Sequence, residues 1–90
     1  MAQAYWKWPE SGRVSEVINW RDASRITAGV DVGTTSTQAA ILCDGELFSY
    51  ASIHTGADFQ AAADAALAQA MRAGGMCITD IRDGIVATGW

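Results

Sequence analysis

The sequence predicts an α/β domain with the element order β-β-β-α-β and one main helix. Three observations carry this. Ile26, Ala28, Val30 and Val32 alternate as in a strand, Asp44-Gly45 separates two further strand-like runs, and apolar residues from Phe59 to Met71 recur at three- and four-residue steps. Ninety residues make one domain at most, and a chain of that size buries only about 60 to 65% of the surface its unfolded form exposes. Half of the residues are apolar and fewer than a fifth are charged, the composition of a folded core.

The elements follow in order. Residues 1–24 hold Trp6, Trp8 and Trp20, three of the four tryptophans, together with Tyr5 and the only proline, Pro9. Such a segment is too aromatic for a free tail, and it either packs across the domain or docks on a partner subunit. The expected organisation is therefore an aromatic-rich extension over 1–24 and the α/β domain over 25–90. The first strand of that domain runs from Arg25 to Val32, and the small residues between its apolar positions suit a strand covered on both faces. A turn over Gly33 to Thr35 leads to a second strand, Thr37 to Cys43. Asp44-Gly45 is the strongest two-residue hairpin signal, and it returns the chain into a third strand, Glu46 to Ile53. Leu47, Ala51 and Ile53 are expected on one face of it, with Phe48 and Tyr50 opposite.

Thr55-Gly56 breaks the third strand. The carboxylate of Asp58 can then accept the free amides of a first helical turn, so the helix is placed from Phe59 to Ala73. Its narrow apolar stripe of Phe59, Ala63, Ala66, Leu67, Ala70 and Met71 is built from small residues that let it sit close to a sheet. Gly74-Gly75 ends it. "ITDIRD" reads as a short turn and "GIVATGW" as the last strand.

Charge and composition exclude several functions. A net charge of −4, with six Lys and Arg spread from Lys7 to Arg82, leaves no basic stripe for nucleic acid. No apolar run is long enough to span a bilayer, and the N-terminus lacks both a basic start and an apolar stretch, so the expected compartment is the cytoplasm. Cys43 and Cys77 form neither a disulfide framework nor a zinc pattern, and both are expected to be buried, reduced thiols. His54, the only histidine, has no catalytic partner in the sequence and is expected to be structural or solvent-facing.

The chemistry concentrates at "DVGTTST". Asp31 ends the first strand two residues before Gly33, where the backbone must turn tightly. Consecutive amides in such a turn, beside the hydroxyls of Thr34, Thr35 and Ser36, form a concavity that binds phosphate oxygens without a lysine. A carboxylate beside phosphate makes sense if a divalent cation lies between them, held partly through water. Residue types alone also suit an ordinary hairpin rich in Gly and Thr. The turn leads from strand to strand, unlike the Walker loop and the dinucleotide fingerprint, which lead into a helix.

Strand, Asp-x-Gly-Thr-Thr, second strand, Asp-Gly turn and third strand together resemble the first phosphate-binding hairpin of the actin-like ATPase and sugar-kinase superfamily. Within it, "CDGELFSY", the "TG" before the alanine-rich helix and "DIRDGIVATGW" resemble the ATPase subunits of benzoyl-CoA reductase and the activators of 2-hydroxyacyl-CoA dehydratases. The leader followed by "ITAGVDVGTTS" looks most like the longer ATPase subunit of the reductase. Trp90 stands where the family has tyrosine, and Gln38 where many members have lysine, which removes a positive charge near the phosphates.

That resemblance implies part of a ribonuclease H-like (actin-like ATPase) domain with a mixed sheet. It implies ATP and magnesium as cofactors and hydrolysis coupled to low-potential electron transfer into a benzoyl-CoA reductase-type enzyme. Asp31 matches the acid that organises magnesium, through water, and the attacking water. Gly33, Thr34, Thr35 and Ser36 match the loop that holds the β- and γ-phosphates, and Thr88 and Gly89 match the start of a loop on the rim of the nucleotide cleft. The implied partners are a second ATPase subunit, forming a dimer, and the reductase core subunits. The family's [4Fe-4S] cluster sits between two subunits, and its ligands are expected beyond Trp90 rather than at Cys43 or Cys77. The chain is accordingly expected to be the N-terminal part of such a subunit, binding nucleotide weakly and hydrolysing it negligibly alone. A carbohydrate kinase of the same superfamily, or a non-enzymatic nucleotide switch or interaction module, are the alternatives.

Overall fold

The computed structural model describes residues 11–89. Tyr5, Trp6, Trp8, Pro9 and Trp90 lie outside the described residues. The strands are β1 (Ser11–Val14), β2 (Ile26–Val32), β3 (Ser36–Cys43), β4 (Glu46–His54) and β5 (Ile85–Gly89), with one helix, α1 (Phe59–Ala73). They form a five-stranded mixed sheet in the order β1-β4-β3-β2-β5, in which β2 and β5 run parallel and the other neighbours antiparallel. From Ile26 onward the order is the expected β-β-β-α-β, with strand ends shifted by at most a residue.

The helix spans the predicted residues, for the predicted reasons. Asp58 accepts from the Ala61 amide at 3.0 Å and so satisfies one of the donors that a helix start leaves free. Ala62, Ala63, Ala66 and Ala70 are buried against the sheet, with Phe59, Leu67 and Met71 half-buried at the flanks. At the far end the Gly74 amide donates to the carbonyls of Met71 and Arg72, and the left-handed residue is Gly75, with φ 71°. Below α1 lie Ile26, Val32, Ala39 and Ile41, at or near zero exposure, which is the centre of the core.

Three expectations are corrected. First, β2 is covered on one face only among the described residues: its burial alternates, with Ile26, Ala28, Val30 and Val32 under α1 and Asp31 exposed on the other side. The small residues of β2 create no second layer, because the described chain supplies one helix. Second, β4 carries a bulge. Ile41 faces Ser49 while Leu42 faces Leu47, so Phe48 is an extra residue in the strand. The inserted residue reverses the alternation: Phe48 is buried and Leu47 is 56% exposed, the opposite of the expected faces, whereas Ala51 and Ile53 share the helix face as expected. Phe48 lies over the end of α1, so close that a Cβ on Gly74 would come within 2.5 Å of its ring. Third, Cys77 is exposed, because it begins a single 3-10 turn at Ile78–Asp80, where its amide donates to the Asp80 carboxylate. Cys43 is buried as expected.

Two features of the leader were not expected as elements. Ser11–Val14 pair antiparallel with β4 at the sheet edge. Trp20, in a 3-10 turn over Trp20–Asp22, packs half-buried against the core and donates its indole Nε1–H to the Gly74 carbonyl at 2.8 Å. The Arg21 guanidinium lies over the same ring, 4.5 Å from its centre.

Candidate functional site

Successive antiparallel hairpins make β4 parallel to β2, and β5 joins β2 in parallel, so the carboxyl ends of three strands lie at one edge of the sheet. That edge collects Asp31, the bend at 33–35, His54 at the end of β4 and Thr55 just after it, and Thr88 and Gly89 of β5. The position of β5 is set by its approach. The Asp83 carboxylate accepts from the Ile26 amide at 2.7 Å, and the Ala28 amide donates to the Gly84 carbonyl at 3.0 Å. These contacts fix the register in which Asp31 faces Thr88 and Val32 faces Gly89. Two residues 57 positions apart in the chain thereby touch: the Thr88 hydroxyl donates to Asp31 Oδ1 at 3.4 Å, a weak bond.

Asp31 is exposed, and among the described residues its carboxylate has no other hydrogen-bond or ion-pair partner. Gln38, its register partner on β3, donates from Nε2 to Ser36 Oγ at 2.9 Å and Ser52 Oγ at 3.3 Å. Asp31, Gln38 and Thr88, with Gly29, Ala40 and Val86, line a shallow depression of about 260 Å³ on the face away from α1. Gln38 is thus beside the acid, with its side-chain amide engaged by serines.

The bend itself is tight. Gly33 donates its amide to the Ser36 carbonyl at 3.0 Å, and a Cβ on Gly33 would come within 2.8 Å of that oxygen, a distance real Cβ atoms do not tolerate. Glycine is required here by close approach of backbone to backbone. Thr34 and Thr35 are exposed, and their amides have no acceptor among the described residues. The predicted loop residues and Asp31 therefore share one edge with Thr88 and Gly89. His54 ends β4 exposed, opposite Ser36.

What the residues can hold follows from their donors. Among the described residues no three His, Cys, Asp or Glu side chains come together to form a cage for a metal. Magnesium keeps several waters and is usually held by one or two carboxylates with substrate phosphates, and a lone exposed acid beside free amides fits that mode. Cys43, in the core, and Cys77, in an exposed turn, belong to no such group.

Thr37 and Thr55 were not singled out from the sequence. Both are buried, and their hydroxyls lie 2.8 Å apart directly behind the bend. The strand break at Thr55-Gly56 was visible, but nothing in it pointed to the bend 20 residues earlier. No protein-family model matches this chain, and no match is found among curated proteins or solved structures.

Proposed function

We propose that this chain is the ATP-binding segment of an ATPase subunit that couples hydrolysis to low-potential electron transfer into a benzoyl-CoA reductase-type enzyme, and that its fold is part of a ribonuclease H-like domain. The observation that carries the reading is the bend after β2: exposed amides at Thr34 and Thr35 beside the exposed carboxylate of Asp31, at the carboxyl ends of parallel strands. Ligands of open α/β sheets bind outside those ends. The element order from Ile26 onward supports the fold, and the motif wording at Gly29–Leu42, Asp44–Tyr50 and Asp80–Trp90 supports the family.

In this reading Gly33 makes the turn, and the amides and hydroxyls of Thr34, Thr35 and Ser36 hold the β- and γ-phosphate oxygens. Asp31 holds magnesium through water and orients the water that attacks. Thr88 and Gly89 form the rim of the cleft, and Thr88 keeps Asp31 turned toward it. Hydrolysis of the terminal phosphate of ATP would supply the free energy for the coupled electron transfer. A second ATPase subunit and the reductase core are the partners, and the [4Fe-4S] cluster takes its ligands from outside this chain.

The test is a titration of the protein with ATP and magnesium, followed by backbone amide resonances. Saturable shifts confined to residues 31–36 and 88–89 are expected. Shifts elsewhere, or none at millimolar nucleotide, would overturn the reading.

A further inference from the structure

We propose that Thr55 is the positioning residue of the bend, a clamp that aims the amides on which phosphate binding depends; this rests on the nucleotide reading above. Thr55 grips the bend at two places. Its hydroxyl lies 2.6 Å from the Gly33 carbonyl, and its amide donates to the Thr35 carbonyl at 3.0 Å. A carbonyl only accepts, so the single hydroxyl proton of Thr55 goes to Gly33. The neighbouring Thr37 hydroxyl, 2.8 Å away, must then be the donor of that pair. The chain of bonds has one direction, from Thr37 to Thr55 to Gly33.

The consequence lies in the peptide planes. The described residues contain no cis peptide bond, and in a trans peptide the carbonyl and the next residue's N–H point in opposite directions. Holding the Gly33 carbonyl against Thr55 therefore turns the Thr34 N–H away from Thr55. Holding the Thr35 carbonyl does the same for the Ser36 N–H. One buried threonine, 4% exposed, thus fixes two alternate amides of the bend before any anion arrives. Preorganised donors of this kind do not have to be reoriented when the ligand binds.

The experiment compares Thr55→Val, Thr55→Ser and Thr37→Val. Valine at 55 keeps shape and removes the clamp's proton, serine restores it, and valine at 37 removes an equally buried hydroxyl while leaving the Gly33 bond in place. Affinity for ATP with magnesium should fall about tenfold in Thr55→Val, recover to within about twofold in Thr55→Ser, and stay near native in Thr37→Val. Equal losses in Thr55→Val and Thr37→Val would mean that the pair merely stabilises the fold, and would overturn the clamp. Amide hydrogen exchange without nucleotide gives an independent reading on the native protein: the Thr55 amide should be protected and the Thr34 amide fast. Equal, fast exchange at both would overturn the proposal even if Thr55→Val fails to fold. Failure of the native protein to bind ATP while this exchange contrast holds would instead defeat the nucleotide reading.

Discussion

β3 is bounded by two turns that solve the same problem differently. At its end, Asp44 and Gly45 both take positive φ, 52° and 83°, which is the two-residue hairpin turn whose twist matches that of the strands. Asp44 also ties this turn to the start of β2, its carboxylate accepting from the Ser24 and Arg25 amides at 2.9 to 3.3 Å and its own amide donating to the Arg25 carbonyl at 2.9 Å. At its start, the bend at 33–35 contains no positive φ and is held from outside, by Thr55. At the Asp44-Gly45 turn both the carboxylate and the amide of Asp44 are engaged, which leaves them unavailable to a ligand. The bend held from behind keeps the Thr34 and Thr35 amides free, which is the condition for using them.

The comparison can be broken most severely at Gly33. Alanine there drives a Cβ into the Ser36 carbonyl, so Gly33→Ala should cost about 1–3 kcal/mol in urea denaturation, as overpacking does, and should also abolish the amide shifts that ATP with magnesium produces at the bend. Gly45→Ala should cost about 1–2 kcal/mol, the penalty for a side chain in the left-handed region. Its nucleotide response should remain native, because nothing at that turn faces the site. A loss of binding in Gly45→Ala would mean that the two turns are not independent.

Asp31→Asn sharpens the contrast from the other side. The acid is exposed and its bond to Thr88 is weak, so stability should change by less than about 0.5 kcal/mol. Affinity for ATP with magnesium should drop about tenfold, or ~1.4 kcal/mol, while calorimetric unfolding stays put.

The smallest effect concerns Cys43, next to the Asp44-Gly45 turn. Burial, and then the charge of Asp44, push its thiol pKa up. In the unfolded chain the thiol ionises near pH 8.5, whereas in the fold it keeps its proton to higher pH. The native state therefore binds more protons there, and stability is complete below about pH 8.5 and declines as pH rises toward the folded pKa. Cys43→Val should flatten that alkaline decline in urea midpoints measured across the range. In the native protein a thiol reagent should label Cys77 rapidly and Cys43 only after unfolding.

Legibility followed the range of the interaction responsible. The helix from Phe59 to Ala73 was readable to the residue, because its cap, its stripe and its stop all act within a turn or two of the chain. The Asp44-Gly45 hairpin was readable for the same reason. Leu47 and Phe48 were placed on the wrong faces because a bulge depends on the partner strand and leaves no mark in "ELFSY". "SGRV" carries too little pattern to announce a strand, and it becomes one because β4 presents a free edge. Asp31 and the Gly33–Ser36 loop were visible as a local motif. That Thr88 would meet Asp31, and that Thr55 would brace the bend, was not.

The amino-acid order alone determined where the helix and the four strands from Ile26 onward form, since hydrophobic period, caps and turn dipeptides act over a few residues. Folding in three dimensions decided which side of the sheet is covered, the reversal at Phe48, the parallel docking of β5 beside β2, and the grip of Thr55 on the bend. The docking of β5 and the grip of Thr55 join groups about 20 to 60 positions apart, and even the reversal at Phe48 depends on a partner strand. Their energies exist only once the core of Ile26, Val32 and Ile41 has brought the strands together.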